Sequence, residues 1–243
     1  MINKNFQFAI IGYGKMGKTI ESIIKDKGYP APILVNNTES LSKLLDQTID
    51  VAIEFSKPNV AVQNIKYCIE NHINIVCGTT GWLDQIDEIA FQAIKSNVGF
   101  LYASNFSIGV NIFFEINRKL ASLMNNQPNY VASIKEIHHT QKLDSPSGTA
   151  ITLAKDIIAF NHKYNQFEES NLVDSNTIKI ESERIGTVPG THIISYHSDI
   201  DSITIAHEAH NRMGFAAGAV LAAEWMVGKS GIFSMKDVLN LNK

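Results

Sequence analysis

Phe6-Gln7-Phe8-Ala9-Ile10-Ile11-Gly12-Tyr13-Gly14-Lys15-Met16-Gly17 decides how this chain is read. The apolar run Phe6 to Ile11 is a buried strand, and it breaks directly onto three glycines in the order G-x-G-x-x-G. Met16, Ile20, Ile23 and Ile24 then recur at helical spacing, and Gly28 stops the helix. Each glycine has a physical task in this strand–turn–helix frame. Gly12 permits the tight turn, Gly14 lets the backbone approach a pyrophosphate, and Gly17 lets helix and strand pack closely. The helix start adds free N–H groups and the positive end of a dipole. Gly12, Tyr13, Gly14, Lys15 and Met16 are therefore a candidate dinucleotide site, with a merely structural glycine turn as the alternative.

Downstream, short β-rich runs alternate with helical patterns. Ile33-Leu34-Val35, Asp50 to Phe55, Ile73 to Cys77 and Val98 to Ala103 read as strands. Val60 to Ile69 and Ile86 to Ile94 read as helices. That alternation predicts right-handed βαβ units and a parallel sheet covered on both faces. After Ala103 the rhythm changes. A long helix through Val110 to Ala121 leads to a strand from Val131 to His139 and a helix through Ala150 to Ile158. Mostly extended chain follows from Thr177 to Ala206, and an alanine-rich helix runs from Phe215 to Val227. The fold class is α/β. A Rossmann-type, parallel-sheet dinucleotide-binding domain over 1–107 is completed by 211–243, and residues 108–210 form an α+β domain with an open mixed sheet. The polar stretch Asn161 to Asn176 is the candidate mobile loop.

Bulk properties exclude several classes. With 44% hydrophobic and 19% charged residues, the 243-residue chain is no disordered protein. A net charge of -3 supplies no cationic field for nucleic acid. No run reaches the roughly 18 apolar residues of a spanning helix, and the N-terminus lacks a signal-peptide pattern. A cytoplasmic protein without membrane partners is expected. Two cysteines, Cys68 and Cys77, build no disulfide framework and read as buried thiols.

The chemistry concentrates at strand ends. Asn36-Asn37-Thr38 stands where an acid would hold an adenosine ribose, which leaves NADH and NADPH both open. Gly78-Thr79-Thr80 and Ala103-Ser104-Asn105-Phe106 follow the fourth and fifth strands, where a parallel sheet binds its ligand; ordinary turns are the alternative. The densest polar run is Glu136 to Thr149. His138 and Lys142 can donate protons. Adjacent His138 and His139 point to opposite faces, so no shared metal is expected. Ser145 is expected to cap a helix with Pro146 at its first position and Gly148 and Thr149 in its first turn, an anion site. Solvated histidines beside a capped helix are the alternative. His207 to Arg212 forms a second polar cluster whose spacing is wrong for a zinc H-E-x-x-H site.

Together these segments resemble the dihydrodipicolinate reductase (4-hydroxy-tetrahydrodipicolinate reductase) family of diaminopimelate and lysine biosynthesis. The resemblance runs in order through Ile11 to Gly17, Glu54-Phe55-Ser56, Gly78 to Gly81, Ser104 to Asn111, His138 to Ala150, Arg184 to His192, and His207 to Phe215. The run from His138 to Ala150 is its most specific part. The resemblance implies NADH- or NADPH-dependent reduction of a cyclic dicarboxylate with loss of water. It implies His138 and Lys142 as proton-transfer residues, and His139, Gly148 and Thr149 as substrate ligands. The cofactor would lie on Gly12 to Met16, Gly78 to Thr80 and Ala103 to Phe106. It also implies a homotetramer built through the sheet of the second domain. Asn36-Asn37 departs from the family's usual acid, and the chain is somewhat short for the family. Another nicotinamide-dependent dehydrogenase of similar build and a non-enzymatic dinucleotide sensor are the competing readings.

Overall fold

Phe8–Ile11 forms strand β1, and all four of its residues are buried, as a strand covered on both faces requires. The computed structural model describes residues 5–170, 174–211 and 213–241, without the side chain of Glu39. Residues 171–173 of the predicted mobile loop and Arg212 of the second polar cluster lie outside the described residues. The chain divides into two compact units, Met1–Ile108 with Met213–Lys243, and Gly109–Arg212.

In the first unit β1 is followed by α1 (Lys15–Asp26), β2 (Ile33–Val35), β3 (Val51–Glu54), α2 (Pro58–Glu70), β4 (Asn74–Cys77), α3 (Ile86–Lys95) and β5 (Gly99–Tyr102). Short 3-10 turns at Thr38–Leu45 and Leu83–Gln85 interrupt this order. With a late strand, β11 (Gly231–Phe233), the strands form one six-stranded sheet in the order β11-β5-β4-β3-β1-β2, every pair parallel. One face packs a core of Phe8, Ile10, Ile20, Ile24, Val220 and Met226. The other packs Ala9, Ile11, Ile65, Cys68, Ile89 and Phe100.

The alanine-rich helix is α6 (Met213–Met226), buried along Ala216, Gly218, Ala219, Ala222 and Ala223. Its small residues let it lie close, since a Cβ on Gly218 would sit 1.8 Å from the Phe106 carbonyl oxygen. The sequence pattern ends with this helix, but the chain goes on to β11 (Gly231–Phe233) and α7 (Met235–Val238). β11 is only three residues long. It is a strand because it pairs with Gly99, Phe100 and Leu101, and no periodicity can announce so short a run.

The second unit holds α4 (Ile108–Met124), β6 (Val131–His138), α5 (Gly148–Phe160), β7 (Gln166–Glu168), β8 (Thr177–Arg184), β9 (Gly190–His197) and β10 (Ser202–Ala209). Their five-stranded sheet has the order β10-β9-β6-β8-β7. β6 and β7 run parallel to β8, while β9 is antiparallel to β6 and β10. Burial alternates along β6 and β9, so one face meets the helices and the other stays part-exposed. The core-facing row joins Ala132, Ile134, Ile180, Ile194 and Tyr196 to Val110, Phe114, Leu153 and Ile157.

Part of the stretch expected to be a mobile loop is anchored instead. Gln166–Glu168 is the edge strand β7. Tyr164 is buried, and its hydroxyl accepts a hydrogen bond from the Ala132 N–H at 2.7 Å. A buried aromatic with a satisfied hydroxyl fixes a segment whose sequence is otherwise polar.

Candidate active site

The glycine loop of the first unit is shaped by contacts that only glycine allows. Gly12 has φ +93°, and a Cβ there would lie 2.2 Å from the Phe55 carbonyl oxygen. A Cβ on Gly17 would lie 2.3 Å from the Gly12 carbonyl oxygen. Gly14 differs, because a Cβ there meets nothing within 4 Å and faces open space. It is also the residue that begins α1, in extended conformation and without a side-chain cap. The first N–H groups of α1 thus have no side-chain acceptor, the condition for binding an anion.

A cleft of about 640 Å³ opens here, lined by Gly12, Tyr13, Gly14, Asn36, Asn37 and Thr38 together with the cations Lys18 and Lys57. A smaller one of about 290 Å³ is lined by Met16, Gly78, Thr79 and Thr80. Phe55 and Ser56 line both. The Phe55 ring explains Gly78, where a Cβ would lie 2.2 Å from that ring. Lys15 is exposed at the start of α1. Ala103 and Phe106 are buried in the core, with the Phe106 ring 5.5 Å from that of Phe55. Ser104 is exposed, and the side-chain Oδ1 of Asn105 accepts from the Ser107 N–H at 2.8 Å. Asn37 turns out to be an N-cap, its Oδ1 accepting from the Ser40 N–H at 3.1 Å and the Ser40 hydroxyl at 2.8 Å.

Beneath this cleft lies a fully buried carboxylate, Glu54. It accepts from the Ser56 hydroxyl, from Asn64 Nδ2 at 3.3 Å and from the Cys77 thiol at 3.2 Å. Burial, and then the Glu54 charge, raises the Cys77 thiol, and Cys68 is raised the same way. Both thiols are therefore poor nucleophiles.

The polar cluster of the second unit grows from strand alternation. Glu136 and His138 share the core-facing side of β6 with Ala132 and Ile134. Register places Arg184 of β8 beside His138, and His192 of β9 beside Glu136. The row that builds the core thus turns polar where the strands end. Glu136 is completely buried. Its Oε1 accepts from Arg184 Nη2 and from the Ser147 N–H, each at 3.0 Å. Its Oε2 lies 3.2 Å from His138 Nδ1 and 3.7 Å from His192 Nε2. Burial raises the Glu136 carboxyl, but contacts from His138, Ser147, Ser182 and Arg184 outweigh it and hold the group well below the usual carboxylate range. Burial, with His138 next to it, pushes His192 down to about 3, so that imidazole is neutral at pH 7. The donor atoms of Glu136, His138 and His192 lie within 4.8 Å of one another. Because Arg184 already neutralises the shared carboxylate, a dication would be buried against positive charge.

His138 and His139 separate as alternation requires. The His138 ring is buried, at 5.0 Å from that of His192, and Gly190 makes room for it, since a Cβ there would lie 3.0 Å from His138 Nε2. His139 instead lines a cleft of about 450 Å³ with Thr140, Gln141, Pro189, His210 and Asn211. Lys142 Nζ reaches both carboxylate oxygens of Asp144 at 2.8 Å.

The helix cap is one place where the sequence expectation is corrected. Ser147 caps α5, its hydroxyl accepting from the Ala150 N–H at 3.2 Å. Ser145 donates instead to Glu169 at 2.7 Å, and Pro146, after a cis peptide, precedes the helix. A capping side chain must reach an N–H three residues ahead, and with the helix starting at Gly148 only Ser147 does. Gly148 and Thr149 do occupy the first turn, and a Cβ on Gly148 would meet nothing within 4 Å. Glu136, Ser147 and His192 are the residues that sequence reasoning left without a role. The i, i+2 spacing of Glu136 and His138 was the available signal for the first.

Comparison with known proteins supplies the remaining finding. Family models described as dihydrodipicolinate reductase, N-terminus and C-terminus, match residues 27–106 and 109–239. A 4-hydroxy-tetrahydrodipicolinate reductase of Christiangramia forsetii is 49% identical over 96% of this chain and 97% of its own. Its counterpart in Neisseria gonorrhoeae is 34% identical over 91% of this chain and 84% of its own. The dipicolinate-bound dihydrodipicolinate reductase of Paenisporosarcina sp. TG-14 shares the fold, with a TM-score of 0.72 at 24% identity over 95% of this chain and 97% of that one. With matches that span both units, the chain belongs to the dihydrodipicolinate reductase family.

Proposed function

We propose that this protein reduces 4-hydroxy-2,3,4,5-tetrahydrodipicolinate to 2,3,4,5-tetrahydrodipicolinate with loss of water, in diaminopimelate and lysine biosynthesis, using NADH or NADPH. The observation that carries this reading is the polar end of β6, where His138 stands beside the buried Glu136 and ahead of Lys142 and the open start of α5. The bound dinucleotide supplies the hydride. Gly12, Tyr13, Gly14, Lys15 and Met16 hold its phosphates, and Gly78, Thr79 and Thr80, with Ala103 to Phe106, line the rest of its site. The cradle fits such a group, because Gly14 is open and the start of α1 is uncapped.

The substrate's carboxylates need cations and N–H donors. Lys142, His139 and the N–H groups at Gly148 and Thr149 supply them, and Lys142 and His138 transfer the proton that reaches the ring. The neutral pair Asn36 and Asn37 does not repel a 2′-phosphate, and Lys18 and Lys57 add cations to the same cleft. This supports use of either cofactor. The raised Cys68 and Cys77 thiols speak against a cysteine-dependent semialdehyde dehydrogenase. We further propose a cytoplasmic homotetramer. The part-exposed face of the second unit's sheet supports the assembly, and no helix among the described residues is long and apolar enough to cross a membrane.

Calorimetric titration with dipicolinate, a planar dicarboxylate relative of the substrate, tests the site. Saturable binding that is lost in Gly148→Val is expected. Wild-type affinity in that variant contradicts the assignment.

A further inference from the structure

We infer that Glu136 is a positioning residue that selects the imidazole tautomer of His138, an inference that rests on the reductase reading only for its effect on turnover. The two oxygens of this buried carboxylate face different neighbours. Oε1 takes two donors with no freedom to reverse, the Arg184 guanidinium and the Ser147 N–H, both at 3.0 Å. Oε2 is left facing His138 Nδ1 at 3.2 Å, and neither of these two buried atoms makes a regular hydrogen bond to any described group. A carboxylate at that distance favours the proton on Nδ1, which leaves Nε2 as the basic nitrogen. Nε2 lies on the side where Gly190 provides no side chain.

The other groups around the carboxylate preserve this arrangement. His192 from β9 offers Nε2, which also lies 3.1 Å from the Ser147 hydroxyl. Arg184 comes from β8, and Lys142 with its partner Asp144 follows β6 in the chain. Ser182, also on β8, contacts the carboxylate as well. No described group hydrogen-bonds to His138 Nδ1 in competition with Glu136.

The fixed donors on Oε1 make Glu136→Gln a directional test. An amide must turn its carbonyl oxygen toward Arg184 and Ser147, so its NH2 takes the place of Oε2 and donates to His138 Nδ1. The proton is then forced onto Nε2, while volume and the other hydrogen bonds are kept. Nitrogen-15 NMR of histidine-labelled protein at about pH 8, where a free imidazole is neutral, reads the tautomer without substrate. We expect His138 as the Nδ1–H form in wild type and the Nε2–H form in the variant. In the coupled reductase assay, kcat falls about 100-fold in Glu136→Gln and the dissociation constant for NADH or NADPH stays within about twofold. An Nε2–H tautomer in the wild type overturns the inference, even if the variant does not fold. So does a tautomer that Glu136→Gln leaves unchanged, or one that inverts with wild-type kcat. A wild-type protein without turnover contradicts the reductase reading alone, because the NMR result stands without it.

Discussion

Arg184 Nη2 lies 3.0 Å from Glu136 Oε1, pairing a guanidinium on β8 with a fully buried carboxylate on β6. The Arg184 side chain keeps 21% exposure while Glu136 has none. Removing the cation would leave an unpaired charge inside the protein. Arg184→Met should therefore destabilise folding by about 3 kcal/mol, the low end for a broken buried pair because solvent reaches the arginine. Urea unfolding at neutral pH checks this, and a loss below about 0.5 kcal/mol would mean the pair adds nothing.

Acid stability follows from the same cluster. Burial lowers His192 from 6.5 to about 3, so between those values the unfolded chain binds a proton that the native state refuses. Stability is intact above about pH 6.5 and falls with pH below it, by roughly 1.4 kcal/mol per unit. Glu136 is depressed below its ordinary 4.5; its contribution is present above that value and is lost as pH drops further. His192→Gln should flatten the dependence of unfolding free energy on pH between 6.5 and 4.5. An unaltered slope would show that His192 is not the group responsible.

The glycines separate fold from ligand. Gly12→Ala forces a Cβ into a left-handed conformation 2.2 Å from Phe55 oxygen, and should cost roughly 2 kcal/mol or more. Gly14→Ala meets nothing and should leave stability within about 0.5 kcal/mol. Its new methyl group stands where a phosphate must come, so cofactor affinity should drop about tenfold. Equal effects of both substitutions on melting temperature would refute this division.

Among the described residues, the ion pair of Lys142 is with the exposed Asp144, a contact worth at most about 1 kcal/mol. Lys142→Ala should therefore fold normally and lower kcat by roughly 100-fold or more, through loss of a general acid. Near-normal turnover would remove Lys142 from proton transfer.

Much of this was legible in the chain, and what was not has physical reasons. Phe8–Ile11 with Gly12, Gly14 and Gly17 announced the strand, the turn and the open helix start, because each glycine answers to a local steric demand. β11 was invisible, since three residues become a strand only by pairing with β5. Ser147 and Ser145 are equally good caps on paper, and only the helix start chooses between them. The Glu136 cluster needed the register of β6, β8 and β9. That long-range pairing brings together residues 48 and 56 positions apart in the chain, Arg184 and His192 with Glu136, and no local spacing encodes it.

The central claim is tested most directly by supplying the unstable substrate in place. Pyruvate, aspartate semialdehyde and the synthase that condenses them are mixed with this protein, and oxidation of NADH or NADPH is followed by absorbance. Oxidation that depends on all three components and is greatly reduced in Lys142→Ala is the expected result. No oxidation of either cofactor by the folded wild-type protein would contradict the account.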